Sequence, residues 1–365
     1  MGRASVEAAL SRIASWNGRP LTFMEVCGTH TTAAARFGLK SLLPPDVRLI
    51  SGPGCPVCVT PVGYVDHAIA LAKIPAVTLC TFGDMMRVPG SIAETEAAPL
   101  ITLSSERAKG ADIRVVYSPL DALQIAADEP ARQVVFLGVG FETTVPGLAA
   151  ALIRARESRL TNFSMLTAAK TVPQVLHALA GAPDLSLDGF MCPGHVSAIL
   201  GVDVYRPYTE TYGLACAVAG FEAAEMLTAL AALVEQVQTN EPRVENCYPS
   251  VAHPEGNPRA LEIMYTVFEA CDATWRGIGE IPGSGLRIRE AFGKFDAARR
   301  FEVALSRPQE PSSCRCGEVL RGVLRPEECG MFGTRCTPSA PRGACMVSSE
   351  GACAASYNYG IGEES

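Results

Sequence analysis

Short apolar runs separated by Gly/Pro-marked loops and helical patterns fill the first two thirds of the chain. They are LTFMEV, VRLIS, AVTLCTF, IRVVYS, QVVFLGVG, FSMLTA, LDGFMC and YGLACAVAG. They recur at a spacing of roughly 20–35 residues, the rhythm of βα units feeding a parallel sheet. Right-handed crossovers then place helices on both faces of the sheet. The predicted fold class is therefore α/β. The break at Asp128-Glu129-Pro130 favours two parallel-sheet domains over one large sheet. The expected division is an N-terminal helix over 1–19 packing on the body, an α/β domain over 20–130, a second over 131–240, and a C-terminal region over 241–365.

After Glu241-Pro242 the strand rhythm fades. VENCYPSVAHPEGNPRALEIMYTVFEAC reads as a loop followed by a helix, GIGEIPGSGLRI is Gly-rich, and REAFGKFDAARRFEV is helical. Within the Gly-rich stretch, GEIPGSGL is expected to be a plain loop rather than an anion-binding nest. Beyond Pro308 the chain is rich in Cys, Gly, Pro and Ser with little periodicity. A tail of that kind lacks a core of its own and is most easily ordered by a metal site.

Composition narrows the function classes. With 365 residues, 48% hydrophobic and 19% charged, the chain is globular and large enough to divide. A net charge of −7 argues against nucleic acid as a main partner. No apolar run reads as a membrane span and no cleavage site follows the first helix, so the cytoplasm is the expected location. There, 14 cysteines point to ligands or redox groups rather than structural disulfides.

Four unusual motifs fall at predicted strand ends, where ligands sit in open α/β sheets. Cys27-Gly28-Thr29-His30 follows LTFMEV. A cysteine at a helix N-terminus has a lowered pKa, which suits a thiolate ligand or nucleophile, and His30 is a second ligand or proton carrier; a buried cysteine beside a capping turn is the plain alternative. Cys55-Pro-Val-Cys58 follows VRLIS in a stiff loop, with Thr60-Pro61 as N-cap and first helical residue. Its spacing suits disulfide exchange or half a zinc site. Gly140-Phe141-Glu142-Thr143-Thr144 lacks both a dinucleotide fingerprint and a P-loop lysine, so no nucleotide site is read from it. Cys192-Pro193-Gly194-His195 places a histidine before a helix, where a cap or core role is equally compatible. In the tail, Cys314, Cys316, Cys329, Cys336, Cys345 and Cys353 include no Cys-x-x-Cys knuckle, which tilts the choice from zinc towards a [4Fe–4S] cluster. Spacing alone leaves open which four are ligands.

MEVCGTHT, GPGCPVCVTP, GFETTVP, CPGHVSAI, IPGSGLRI and CRCGEVLRG…CMVSSEGACAA, in this order over nearly the whole chain, resemble the HypD family of [NiFe] hydrogenase maturation proteins. The resemblance implies a scaffold that works in a stable complex with HypC, on which the Fe(CN)2CO group is assembled. HypE with HypF supplies the cyanide, and the hydrogenase large subunit is reached through HypC. It implies a [4Fe–4S] cluster on Cys314, Cys329, Cys336 and Cys353, which fit the family's C-x14-C-x6-C-x16-C pattern. It also implies iron binding at Cys27, a redox-active pair at Cys55 and Cys58, and motif residues at His30, His195 and Glu350, with Glu142 as a further second-sphere or proton-relay candidate. Thr31 stands where many members carry glutamate. Two other readings are a stand-alone iron–sulfur disulfide oxidoreductase and a zinc-stapled α/β binding protein.

Overall fold

A computed structural model describes residues 3–91, 100–310 and 313–360. Its strands are β1 (Leu21–Glu25), β2 (Val47–Ser51), β3 (Val77–Thr81), β4 (Ile113–Val115), β5 (Gln133–Gly138), β6 (Phe163–Thr167), β7 (Gly189–Pro193), β8 (Ala215–Ala219), β9 (Val244–Asn246), β10 (Phe268–Trp275) and β11 (Gly279–Ile288). One parallel sheet has the order β2-β1-β7-β8-β9 and a second the order β4-β3-β5-β6. The α/β class with helix-covered parallel sheets is the one the apolar rhythm predicts. β3, β7 and β8 are buried at every position, which is why β7 and β8 are continuous apolar runs and the only polar residues of β3 are its two buried threonines, Thr78 and Thr81.

The two sheets are not consecutive halves of the chain. The first sheet takes β1 and β2, the chain then builds the whole second sheet, and it returns to pair β7 beside β1. The boundary expected at 130/131 therefore falls inside the second sheet, between β4 and β5. The turn there ends the helix Pro119–Asp128, which Ser118 and Asp121 start with a reciprocal cap. A loop of this kind marks the end of a helix, not the end of a sheet, and strand spacing carries no record of which strand is neighbour to which.

The strands also continue past 242. The helix Pro258–Val267 stops before FEAC, and β10 and β11 form an antiparallel hairpin. GEIPGSGL is thus a strand and neither a loop nor an anion nest. The signal is a period of two: Phe268 and Trp275 are buried and the residues between them alternate in exposure. The hairpin docks on the end of β6, through Leu286 N–H to the Ala169 carbonyl (3.0 Å) and Thr171 N–H to the Ser284 carbonyl (2.9 Å). One apolar core, containing Val26, Cys58, Phe141, Val172, Trp275 and Cys345, joins both sheets, the hairpin and the tail.

The helix Arg3–Ala14 lies along the helix Ala223–Thr239, with Ile13 fully buried and Arg12 paired to Glu235. No helix among the described residues is long and apolar enough to cross a membrane.

The hairpin turn meets the tail backbone to backbone. Gly277 has φ +74°, and a Cβ there would lie 2.1 Å from Gly317 Cα. Gly283 has φ +65° with nothing within 4 Å of the same position. Gly283→Ala is expected to cost about 1–2 kcal/mol, the left-handed backbone penalty alone. Gly277→Ala adds an overpacking cost of about 1–3 kcal/mol. Denaturant unfolding of both variants checks the ordering.

Candidate functional site

Cys27 sits between β1 and the helix Gly28–Arg36, in extended backbone at the N-cap. The Gly-Pro-Gly-Cys loop after β2 lies directly against it. Gly28 N–H donates to the Gly54 carbonyl (2.9 Å), Gly52 N–H donates to the Glu25 carbonyl (2.8 Å), and a Cβ on Gly54 would fall 2.3 Å from the Cys27 nitrogen. Only glycine allows that approach. The Cys27 N–H donates to Glu25 Oε2 (3.1 Å), and Thr31 Oγ1 donates to Glu25 Oε1 (2.6 Å). From the tail, Glu350 Oε1 accepts from Thr29 Oγ1 (3.0 Å) and the Ser349 carbonyl from Thr32 Oγ1 (2.8 Å).

The expected lowering of the Cys27 pKa is not what this environment produces. Burial pushes the thiol up to about 12; the amides of His30 and Thr29 favour the thiolate, but the Glu350 and Glu25 carboxylates oppose it. The dipole of a helix start is worth a fraction of a kcal/mol to about 2 kcal/mol, less than the desolvation of a buried anion. A cation at the sulfur would reverse that balance.

His30 is fully buried, and burial lowers its pKa to about 4. The neutral ring donates from Nε2 to the Gly220 carbonyl (2.8 Å), which leaves Nδ1 as a buried lone pair without a partner. Its ring stacks on Phe221 at 4.7 Å, and Phe221 stacks on His195 at 3.9 Å. His195 precedes most of the short helix Gly194–Leu200 and keeps an exposed edge; its packed part is desolvated, which lowers its pKa.

Cys55 and Cys58 are joined in a disulfide. The following helix is Val62–Ala72 with Pro61 at its N-cap, one residue later than expected, because Thr60 Oγ1 donates back to the Pro56 carbonyl (2.8 Å) instead of capping. Cys58 Sγ lies 3.9 Å from the Ala344 carbonyl. Beside Ala344, Cys345 Sγ is 2.8 Å from Cys316 Sγ. Hydrogen bonds from Cys314 and Cys345 favour a thiolate at Cys316 and hold it well below the usual thiol range. These two residues line one cavity together with Cys314, Cys329, Cys336 and Cys353, closed by Met331, Phe332 and Met346. Backbone packing thus joins the Cys27 turn to the Cys55–Cys58 loop, and the Cys58 sulfur meets the Ala344 carbonyl beside the cavity in the tail.

A family model described as "Hydrogenase formation hypA family", HypD, matches residues 4–360. The chain belongs to the HypD family. It is 45% identical over 349 residues to hydrogenase maturation factor HypD2 of Bradyrhizobium diazoefficiens, covering 94% of this chain and 90% of the relative. It is 45% identical over 348 residues to hydrogenase maturation factor HypD of Azotobacter vinelandii, with the same coverage. The HypD of Escherichia coli K12 is 43% identical over 344 residues, covering 93% of this chain and 90% of the relative.

Within this HypD fold the expected site residues are not all brought together. Cys27, His30, His195 and Glu350 surround one turn, and the Cys55–Cys58 loop abuts it. Glu142 stands apart: it is fully buried, its Oε1 accepts from Val172 N–H (2.8 Å), and its Oε2 has no partner. Several residues carried no signal in one sequence. Glu25 lies inside an apolar strand, yet it is fully buried beneath Cys27 with its carboxyl raised to about 7 by burial. Phe221 looks like any loop aromatic until it is seen between two histidines. Cys316 and Cys345 are set apart from their neighbours only by the contact between them.

Burial likewise raises the Glu142 pKa from its ordinary 4.5 to about 7. A raised carboxyl stabilises the fold fully below pH 4.5 and loses that contribution as pH climbs through 7. Glu142→Gln keeps the acceptor for Val172 and cannot ionise. Its stability relative to wild type is expected to increase from pH 5 to 8, by denaturant titration at each pH. A constant difference would contradict the raised value.

Proposed function

We propose that this chain acts in hydrogenase maturation as the scaffold on which the Fe(CN)2CO unit is assembled, in complex with HypC and with cyanide delivered by HypE and HypF. Its workplace is the cytoplasm, and it reaches the hydrogenase large subunit through HypC. The single observation that carries this reading is the close packing of the Gly54 backbone on Cys27, which brings the loop of the Cys55–Cys58 pair beside a solitary thiol.

Cys27 is the proposed anchor for the iron substrate. A soft thiolate suits low-spin iron carrying strong-field cyanide and carbonyl ligands. With its desolvated thiol protonated when free, Cys27 releases its proton as the metal arrives. At this turn His30 offers an unpartnered ring nitrogen for that proton, and the Glu25 and Glu350 carboxyls can take it only when ionised. Cys55 and Cys58 open by accepting two electrons and two protons and close by returning them.

The tail cavity fits a resident [4Fe–4S] cluster held by Cys314, Cys329, Cys336 and Cys353. Its wall is thiol and apolar, the donor set such clusters take, and a cluster there supplies electrons singly. Cys316 and Cys345 fill the space between cavity and disulfide.

Three measurements test this. Anaerobic purification is expected to give a brown protein with about four iron atoms per chain, and a colourless protein containing zinc would overturn the cluster assignment. In a host lacking its own family member, the wild-type gene should restore hydrogenase activity and Cys27→Ala should abolish it. Activity retained by Cys27→Ala would remove the anchor, and partner-free turnover of a disulfide substrate would favour the stand-alone oxidoreductase.

A further inference from the structure

We propose that Arg276 is the buried counter-ion of the group held in the tail cavity, donating hydrogen bonds to sulfur there and setting the cluster's reduction potential. This rests on the cluster assignment made above.

Arg276 directly follows β10, and its side chain is 1% exposed. Nε donates to Glu310 Oε2 at 3.0 Å, and the Glu310 side chain is 44% exposed. Nη1 and Nη2 are both fully buried and neither has an acceptor. A guanidinium cannot escape by losing its proton, and each buried donor without a partner is costly. One half-exposed carboxylate therefore leaves the charge and its terminal N–H groups largely unanswered.

The backbone carries Arg276 to the edge of the tail. Arg276 N–H donates to the Val59 carbonyl (2.9 Å), which ties it to the Cys55–Cys58 loop. The next residue, Gly277, packs against Gly317, the neighbour of Cys316. Burial works against the charge of Arg276, while Cys316, Glu310 and Cys314 work for it. The charge of Arg276, behind the cavity lining, is thus felt at Cys316 and Cys314, two of the sulfurs that line it. Thiolate and sulfide sulfur accept hydrogen bonds, and such bonds, with net charge and burial, set cluster potentials. Reduction adds negative charge to a buried site, so a fixed cation beside it favours the reduced state.

The test is a potentiometric titration of the anaerobically reconstituted full chain, followed by electron paramagnetic resonance. A wild type that takes up no four-iron cluster defeats the cluster assignment itself. With a cluster present, Arg276→Met is expected to move the midpoint to more negative potential and Arg276→Lys to recover part of the shift. An unchanged midpoint in Arg276→Met overturns the proposal with the cluster assignment intact. Should Arg276→Met fail to hold a cluster, Glu310→Gln decides: it keeps the guanidinium and removes its counter-charge, so the midpoint is expected to rise. No rise there overturns the proposal equally.

Discussion

The Gly54 backbone lies so close to Cys27 that no other residue fits, and the Gly28 amide closes the contact with a hydrogen bond to the Gly54 carbonyl. Much follows from that approach. β1 and β2 are parallel neighbours, so the loops leaving their carboxyl ends emerge side by side, and a glycine lets them touch. The touch carries the Cys55–Cys58 pair to the Cys27 turn. The tail then seals the assembly from the other side, with Glu350 on Thr29 and Ala344 on Cys58. The return from the long excursion is fixed separately, where β7 pairs beside β1.

Desolvation governs the chemistry available there. Helix dipole and backbone amides favour a thiolate at Cys27, yet burial outweighs them. The same force keeps His30 neutral and pushes Glu25 and Glu142 to about 7. At the Cys27 turn burial disfavours every charge, which a metal or a partner restores by changing the field; Glu142, apart from the turn, is shifted by the same force. Arg276 is the exception, because a guanidinium keeps its proton. That fixed charge near the tail thiols makes the cavity electrostatically unlike the Cys27 turn.

Much of this was legible in the chain itself. The βα rhythm marks all eight strands of the first 220 residues at nearly their observed places, because parallel strands between helix layers are mostly buried and therefore mostly apolar. The motifs at strand ends, CGTH and CPVC above all, are visible because Cys, Gly and Pro are costly to place without cause. What was hidden depends on pairing in space. Nothing in the spacing shows that β7 returns to β1. β10 was concealed because its alternation includes Glu269, Asp272 and Thr274, which weaken an apolar signal. The Cys316–Cys345 contact and the Phe221 stack join residues distant in sequence, and no local pattern encodes such pairs.

The claim on which the account turns is that Cys27 holds the iron substrate. Infrared spectroscopy of the complex co-purified with HypC reads this most directly, since cyanide and carbonyl stretches belong to the bound Fe(CN)2CO group alone. The account predicts those bands in the wild-type complex and their loss in Cys27→Ala, with the complex itself still formed. Bands that persist unchanged in Cys27→Ala would contradict it.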